Sequence, residues 1–300
     1  MIKALSLFIV VSWGAIAQAA SCCGGSFSFP ALILGDDKAQ VTSTYSYSEI
    51  TDDVLSSGQW MKRDDGNQSQ TLKVEGALLL ADSWQAGISV PVISKKDQSH
   101  SATSGVGDLS LYLGHETFPE LQYSRWKPRG VTFLQVTLPT APSIYDEDAT
   151  NSNKIRGRGF TSLGAGLALV KTWRVWDANF SSEIHKSFER SAEGAAYNGK
   201  ATVTPGWGTT QTLGVGWNKG DLRLGSNVSF LYEDAIQIRG DTHSTGQNQK
   251  HFTWGFSGSY MLSQESALTV GYSDQSLLGN PVNSTLSNTF SLSYQQRWQR

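Results

Sequence analysis

The chain has 300 residues, with 24 Lys and Arg against 26 Asp and Glu, a formal net charge of −2 and 2 Cys. That balance, without a basic stripe, argues against a nucleic-acid partner, and two cysteines cannot supply a disulfide framework for a chain of this length. With 30 Gly, 10 Trp, 10 Tyr and 12 Phe beside 3 Met, the fold is expected to rest on a large sheet, a core or a membrane.

The opening residues, "MIKALSLFIVVSWGAIAQAA" (1–20), read as an export signal: Lys3, a short apolar run over 5–11, and the small-x-small pattern of Ala17-Gln18-Ala19. Its removal takes Lys3 and leaves 23 basic (24 minus 1) against 26 acidic side chains, about −3. No later stretch approaches the roughly 18 apolar residues of a transmembrane helix. Residues 21–38 are expected to be a periplasmic N-terminal tail, and 39–300 a barrel domain. The tail carries Cys22 and Cys23 side by side. A disulfide between neighbours would be strained, and two thiolates do not complete a tetrahedral zinc shell. A flexible tail or plug with exposed thiols, lipidation of Cys22 and soft-metal binding stay open; "Ala19-Ala20-Ser21-Cys22" is similar to a lipoprotein cleavage box without its usual Leu. No metal or cofactor is assigned.

Beyond the tail the dominant signal is alternation. In "GFTSLGAGLALV" (159–170), Leu163, Ala165, Leu167 and Leu169 fall on one face; Ser162, Gly164, Gly166 and Ala168 fall on the other. A period of two is a strand period. "DLRLGSNVSFLYE" (221–233) and "KHFTWGFSGSYML" (250–262) repeat it. Twelve strands are predicted, at 39–50, 70–81, 84–95, 107–117, 129–139, 158–171, 174–187, 207–218, 221–233, 250–262, 266–275 and 285–298. The segment 129–139 alternates poorly.

Connections after the second, sixth, eighth and tenth segments are short; those after odd-numbered segments are mostly long and polar. The one breach is "FPELQYSRWKP" (118–128), long where a short turn is due. This layout, with an even strand count, predicts an all-β fold: a transmembrane antiparallel β-barrel of about 12 strands, with short periplasmic turns and long extracellular loops. A soluble β-sandwich also alternates. Against it stand the Gly, Ser, Thr and Asn of the polar face, strand-end aromatics (Trp84, Trp173, Trp176, Trp207, Trp217, Trp298), and strands longer than the usual five or six residues. The last segment puts Leu286, Phe290, Leu292, Tyr294 and Trp298 on one face, a pattern for the barrel-insertion machinery, although Gln299 and Arg300 follow the Trp. The other expected partners are outer-membrane lipid and lipopolysaccharide around the barrel and a small-molecule solute within it.

The same parity sends Lys73, Glu75, Asp177, Asn179, Glu183, His185, Arg223, Asn227, Glu233 and Arg297 to the lumen. Charges of both signs can line a wet pore or pair across it and plug it. His185 and Ser187 lie two apart on one face, as in some outer-membrane phospholipases, but here both point to the lumen rather than to lipid. A serine nucleophile also needs a base and a group orienting that base. Asp146, Glu147 and Asp148 cluster on the third long loop without EF-hand spacing. His243 and His251 read as surface histidines.

"SGVGDLSLYLG" (104–114) and "VTLPTAPSIYD" (136–146) carry a Gly-x-Gly-Asp and a Leu-Pro-Thr. Through Gly105, Gly107, Asp108, Leu138, Pro139 and Thr140 the chain resembles the outer-membrane transporter family associated with the MetA pathway of phenol degradation. The family's Gly after Pro-Thr is Ala141 here. The resemblance implies a barrel passing small hydrophobic or aromatic compounds; no enzyme activity is expected. Taken from the residues alone, Asp108 reads as an acceptor of backbone N–H groups in a tight turn or as a ligand. A lipid-acting barrel enzyme and a closed structural barrel stay as alternatives.

Overall fold

The computed structural model describes residues 30–64, 66–97, 101–146, 152–194, 199–240 and 243–300. The signal segment, Cys22, Cys23, Glu147 and Asp148 lie outside the described residues. Twelve long strands form the wall: β1 (Asp37–Val54), β2 (Gln68–Leu79), β3 (Trp84–Lys96), β4 (Leu109–Phe118), β5 (Arg129–Leu138), β6 (Ser162–Trp173), β7 (Trp176–Ser187), β8 (Trp207–Lys219), β9 (Leu222–Glu233), β10 (Gln249–Met261), β11 (Ser266–Asp274) and β12 (Ser284–Gln299). Each pairs antiparallel with its neighbour, and β12 pairs with β1 from Asp37↔Gln299 to Val54↔Ser284, which closes the barrel. Closure leaves no free edge, the condition for crossing a bilayer with strands.

The alternation decides which face meets lipid. Leu72, Val74 and Leu78 of β2, Ile88 and Val92 of β3, and Leu111 and Leu113 of β4 project outward. Inward go hydroxyls that bond across strands: Thr44 with Ser293 at 2.7 Å, Ser48 with Thr289 at 2.7 Å, and Thr269 donating to Ser259 at 2.8 Å. On β12, Phe290, Leu292, Tyr294 and Trp298 project outward. Leu286, expected beside them, is instead buried, past the register shift between Ile50 and Asp52 on β1.

Turns at 80–83, 174–175, 220–221 and 262–265 mark the periplasmic end. The breach at 119–128 also exists, and it packs against the outside of the wall. Glu120 ion-pairs with Lys171 of β6, whose ammonium lies 4.7 Å from the Tyr123 ring centroid, and Trp173 donates to the Arg125 carbonyl at 2.7 Å. At the opposite end, strands Arg190–Gly194, Gly199–Thr204, Gln237–Arg239 and His243–Thr245 form a separate four-stranded sheet. It buries Phe160, Ala192 and Val203 against Tyr145, Ile236 and Ile238.

The N-terminal segment differs from expectation. Residues 31–34, read as part of a periplasmic tail, lie inside the barrel. Leu32 and Leu34 pack with Val131, Phe133, Ala168 and Val170. Gln85 of β3 accepts the Ile33 N–H through Oε1 at 2.6 Å and donates Nε2–H to the Ile33 carbonyl at 3.0 Å. Gln40 donates to the Leu32 carbonyl at 2.8 Å. Gly87 permits the approach, since a Cβ there would strike the Ala31 carbonyl. This plug also explains the poor alternation of β5: Val131 and Phe133 are apolar and point inward because Leu32 and Leu34 cover them.

Candidate functional site

Above the plug the lumen opens into a chamber of about 770 Å³. Pro30, Tyr112 and Phe133 lie at its plug end, and the two rings meet edge-on with centroids 6.5 Å apart. Its walls carry Ser46, Thr71, Ser110, Thr137, Ser181, Ser229 and Thr289 among Pro91 and Ile93. Its roof is the segment Ile155, Arg156, Gly157 and Arg158 of the third long loop. Ile155 and Arg156 also line a second cavity of about 970 Å³, between the Thr103–Val106 strand and residues 139–143. The roof segment therefore separates two cavities. Among the described residues the Thr103–Val106 strand pairs only with β3.

The ten charged and amide side chains assigned to the lumen sit on the inner parity of their strands, and most are paired. Lys73 and Glu75 lie 2.9 Å apart. Arg223 grips Asp177 through Nε at 2.9 Å and Nη2 at 2.7 Å, while Asn218 donates to the same carboxylate at 2.8 Å. His185 meets Glu183 through Nδ1 at 3.0 Å and Glu233 through Nε2 at 3.2 Å. Glu233 also takes Arg158 at 2.5 Å. Arg297 lies 3.8 Å from Asp37 at the periplasmic rim. Asn179 lies against Gly214, and Asn227 lines the chamber and lies against Gly255. Both His185 nitrogens are thus engaged by carboxylates, and neither serves Ser187.

The two short motifs meet. Leu109, which follows Asp108, pairs with Leu138. Thr140 donates its hydroxyl to the Gly107 carbonyl at 2.8 Å and accepts the Leu109 N–H at 3.2 Å. Asp108 accepts the Ala141 N–H at 3.2 Å and the Arg158 N–H at 2.7 Å. Arg156 and Gly157 add backbone bonds to the Pro142 carbonyl at 2.9 and 3.0 Å. Gly105 faces Arg156 so closely that a Cβ would lie 2.6 Å from Nη2. The motif residues therefore clamp the roof segment, and Asp108 spends both oxygens on backbone N–H groups. Pro139 and Thr140 line the second cavity.

Asp146 accepts the Ser143 N–H at 2.6 Å and pairs with Arg190 at 2.6 Å. Burial alone would raise its carboxyl, but the Ser143 bonds and the Arg190 guanidinium outweigh that and hold it below the usual carboxylate range. His243 is exposed. His251 is not: β10 begins at Gln249, which puts its ring on the inner parity with Thr253, buried in the chamber wall. Sequence reasoning offered a plug only beside a flexible tail, and it missed Tyr112 and Phe133, Lys95, and the roof residues Arg156 and Arg158. Only the apolar run "ALIL" (31–34), out of place in a soluble tail, carried a signal.

A closed twelve-stranded barrel with an apolar outer face and a hydroxyl-rich lumen is a bacterial outer-membrane β-barrel, and the outer membrane is where this chain resides. No family model and no curated protein matches the sequence. Among solved structures the chain is similar to the COG4313 outer membrane channel from Pseudomonas putida F1, with TM-score 0.71 at 14% identity over 91% of this chain and 99% of that one. It is more distantly similar to the TodX deltaS2S3 mutant monoaromatic hydrocarbon channel, with TM-score 0.48, 12% identity and coverage of 90% and 93%. For the KdgM porin the figures are TM-score 0.42, 8% identity and coverage of 85% and 98%. These likenesses concern the fold.

Proposed function

We propose that this barrel is a channel for passive passage of small hydrophobic or aromatic molecules. The observation that carries the reading is the lumen chamber of about 770 Å³, within the range of small-molecule sites. Its plug end is aromatic, its walls are hydroxylic, and it is bounded below and above by two short segments rather than by the wall itself. Both segments can leave without breaking a barrel strand. The channel nature of the COG4313 relative supports the same reading. Serine hydrolysis is the weaker alternative, because Glu183 and Glu233 occupy the His185 ring.

The test is conductance of the purified, folded barrel in planar bilayers, together with permeation of phenol or toluene into proteoliposomes. Single-channel events with solute entry above protein-free vesicles are expected. A folded barrel that gives neither overturns the proposal. A His185→Ala variant is expected to leave lipids as intact as the parent does.

A further inference from the structure

The chamber treats its charges unequally. His185 and Arg158, which line it, each have an opposite partner at 2.5–3.2 Å, as Lys73, Asp177 and Arg223 do elsewhere in the lumen. Lys95 and Arg156 do not. Both line the chamber, and they lie within electrostatic reach of each other. Among the described residues neither side chain has a hydrogen-bonded or ion-paired partner, and Arg156 Nε is buried with no acceptor. Asp108, which shares this part of the chamber, is already committed to the Ala141 and Arg158 N–H groups. Two neighbouring cations drawn out of water and lacking a counter-charge are unfavourable by themselves.

The arrangement is nonetheless built. Gly105 supplies a surface without a Cβ against which the guanidinium rests, and the Pro142 carbonyl fixes the Arg156 backbone. Ile93, two residues from Lys95 on β3, extends the same wall toward Pro91, with Tyr112 and Phe133 farther down the chamber. Cationic and apolar groups thus line one cavity. We infer that the chamber holds a small amphipathic anion, an aromatic or short-chain carboxylate, with its carboxylate on Lys95 and Arg156 and its apolar body toward Ile93, Tyr112 and Phe133. A guanidinium gives a carboxylate paired, directed N–H donors, and the ammonium adds a second charge.

This site deepens the channel reading and takes its biological sense from it, but its test does not depend on conduction. Isothermal titration of the folded barrel in detergent compares benzoate, benzyl alcohol and acetate. Benzoate is expected to bind about tenfold or more tighter than either, because benzyl alcohol lacks the charge and acetate lacks the ring. A Lys95→Gln/Arg156→Gln variant, its folding verified by heat-modifiable gel migration, should lose at least about tenfold in benzoate affinity and keep its benzyl alcohol affinity. Equal binding of benzoate and benzyl alcohol by the parent, equal binding of benzoate and acetate, or unchanged benzoate binding in the variant would each overturn the site. The first two comparisons use the parent barrel, so they hold even where the variant misfolds. Charge-selective benzoate binding by a barrel without conductance would remove the channel reading and leave the site standing.

Discussion

Truncating the plug should open the periplasmic end of the chamber. Leu32 and Leu34 are 4% and 7% exposed, packed on Val131, Phe133, Ala168 and Val170. Burying Leu32, Ile33 and Leu34 contributes about 1.5–3 kcal/mol each. The two Gln85 bonds and the one Gln40 bond add about 1 kcal/mol each. Ordering five residues of backbone opposes this by about 1–2 kcal/mol each. The opposing totals, roughly 7–12 and 5–10 kcal/mol, nearly cancel, so the plug is held by only a few kcal/mol. A Leu32→Ala change removes about 2–5 kcal/mol, enough to reverse that balance. Planar-bilayer recording of Leu32→Ala/Leu34→Ala should show larger or longer openings than the parent, and Gln85→Ala a smaller effect in the same direction. Unchanged conductance in a folded double variant would refute the reasoning, since the plug would then not limit passage.

Three further outcomes follow from the charge network. Asp177→Ala strands a buried Arg223 and should destabilise the barrel by about 3–5 kcal/mol, read as earlier unfolding in urea by tryptophan fluorescence; a stable Asp177→Ala protein would mean that the pair is wet. Asp108→Ala removes two charge-assisted bonds of about 1.5–3 kcal/mol each, so protease should cut residues 141–158 faster while the wall stays intact. The Asp146 carboxyl is held below its ordinary range in the folded loop, so its stabilisation is complete above about pH 4 and fades as pH falls through the lower folded value. Cleavage near Arg190 should therefore quicken only in strong acid, and loosening already between about pH 5 and 7 would contradict the Asp146–Arg190 tether.

The wall was legible because its rule is local. Lipid outside and hydroxyls inside force a period of two, and runs such as "SLGAGLALV" (162–170) display it without knowledge of any partner strand. Where a third element covers the inner face, the rule fails. Val131 and Phe133 belong to the plug's contact surface, so β5 looked irregular although its pairing with β4 and β6 is continuous along most of its length. His251 was read as a surface residue although the predicted strand 250–262 already held it, and its parity with Thr253 sends it inward. Arg156 carried no signal at all: it reaches Gly105 across 51 positions of chain, and only the clamp of Asp108, Thr140 and Pro142 brings it there. The resemblance around Gly105 and Leu138 located the clamp but did not reveal what it holds.

The two closures of the chamber answer to different forces. The roof is tied by Asp108, by the Pro142 carbonyl and by the Arg158–Glu233 pair, so ionic strength acts on it. The plug is tied mainly by apolar contact, and it shares those contacts with the chamber. Phe133 belongs to the cluster that grips Leu32 and also lines the chamber, while Tyr112 packs on that cluster from the chamber side. An apolar solute lying on Tyr112 and Phe133 therefore competes with the plug for the same side chains. A solute that binds the unplugged chamber better than the plugged one shifts the balance by its differential affinity. With the plug held by only a few kcal/mol, a differential of about tenfold in affinity, near 1.4 kcal/mol, already changes the open fraction substantially. On the proposed channel reading, the cargo itself loosens the periplasmic exit.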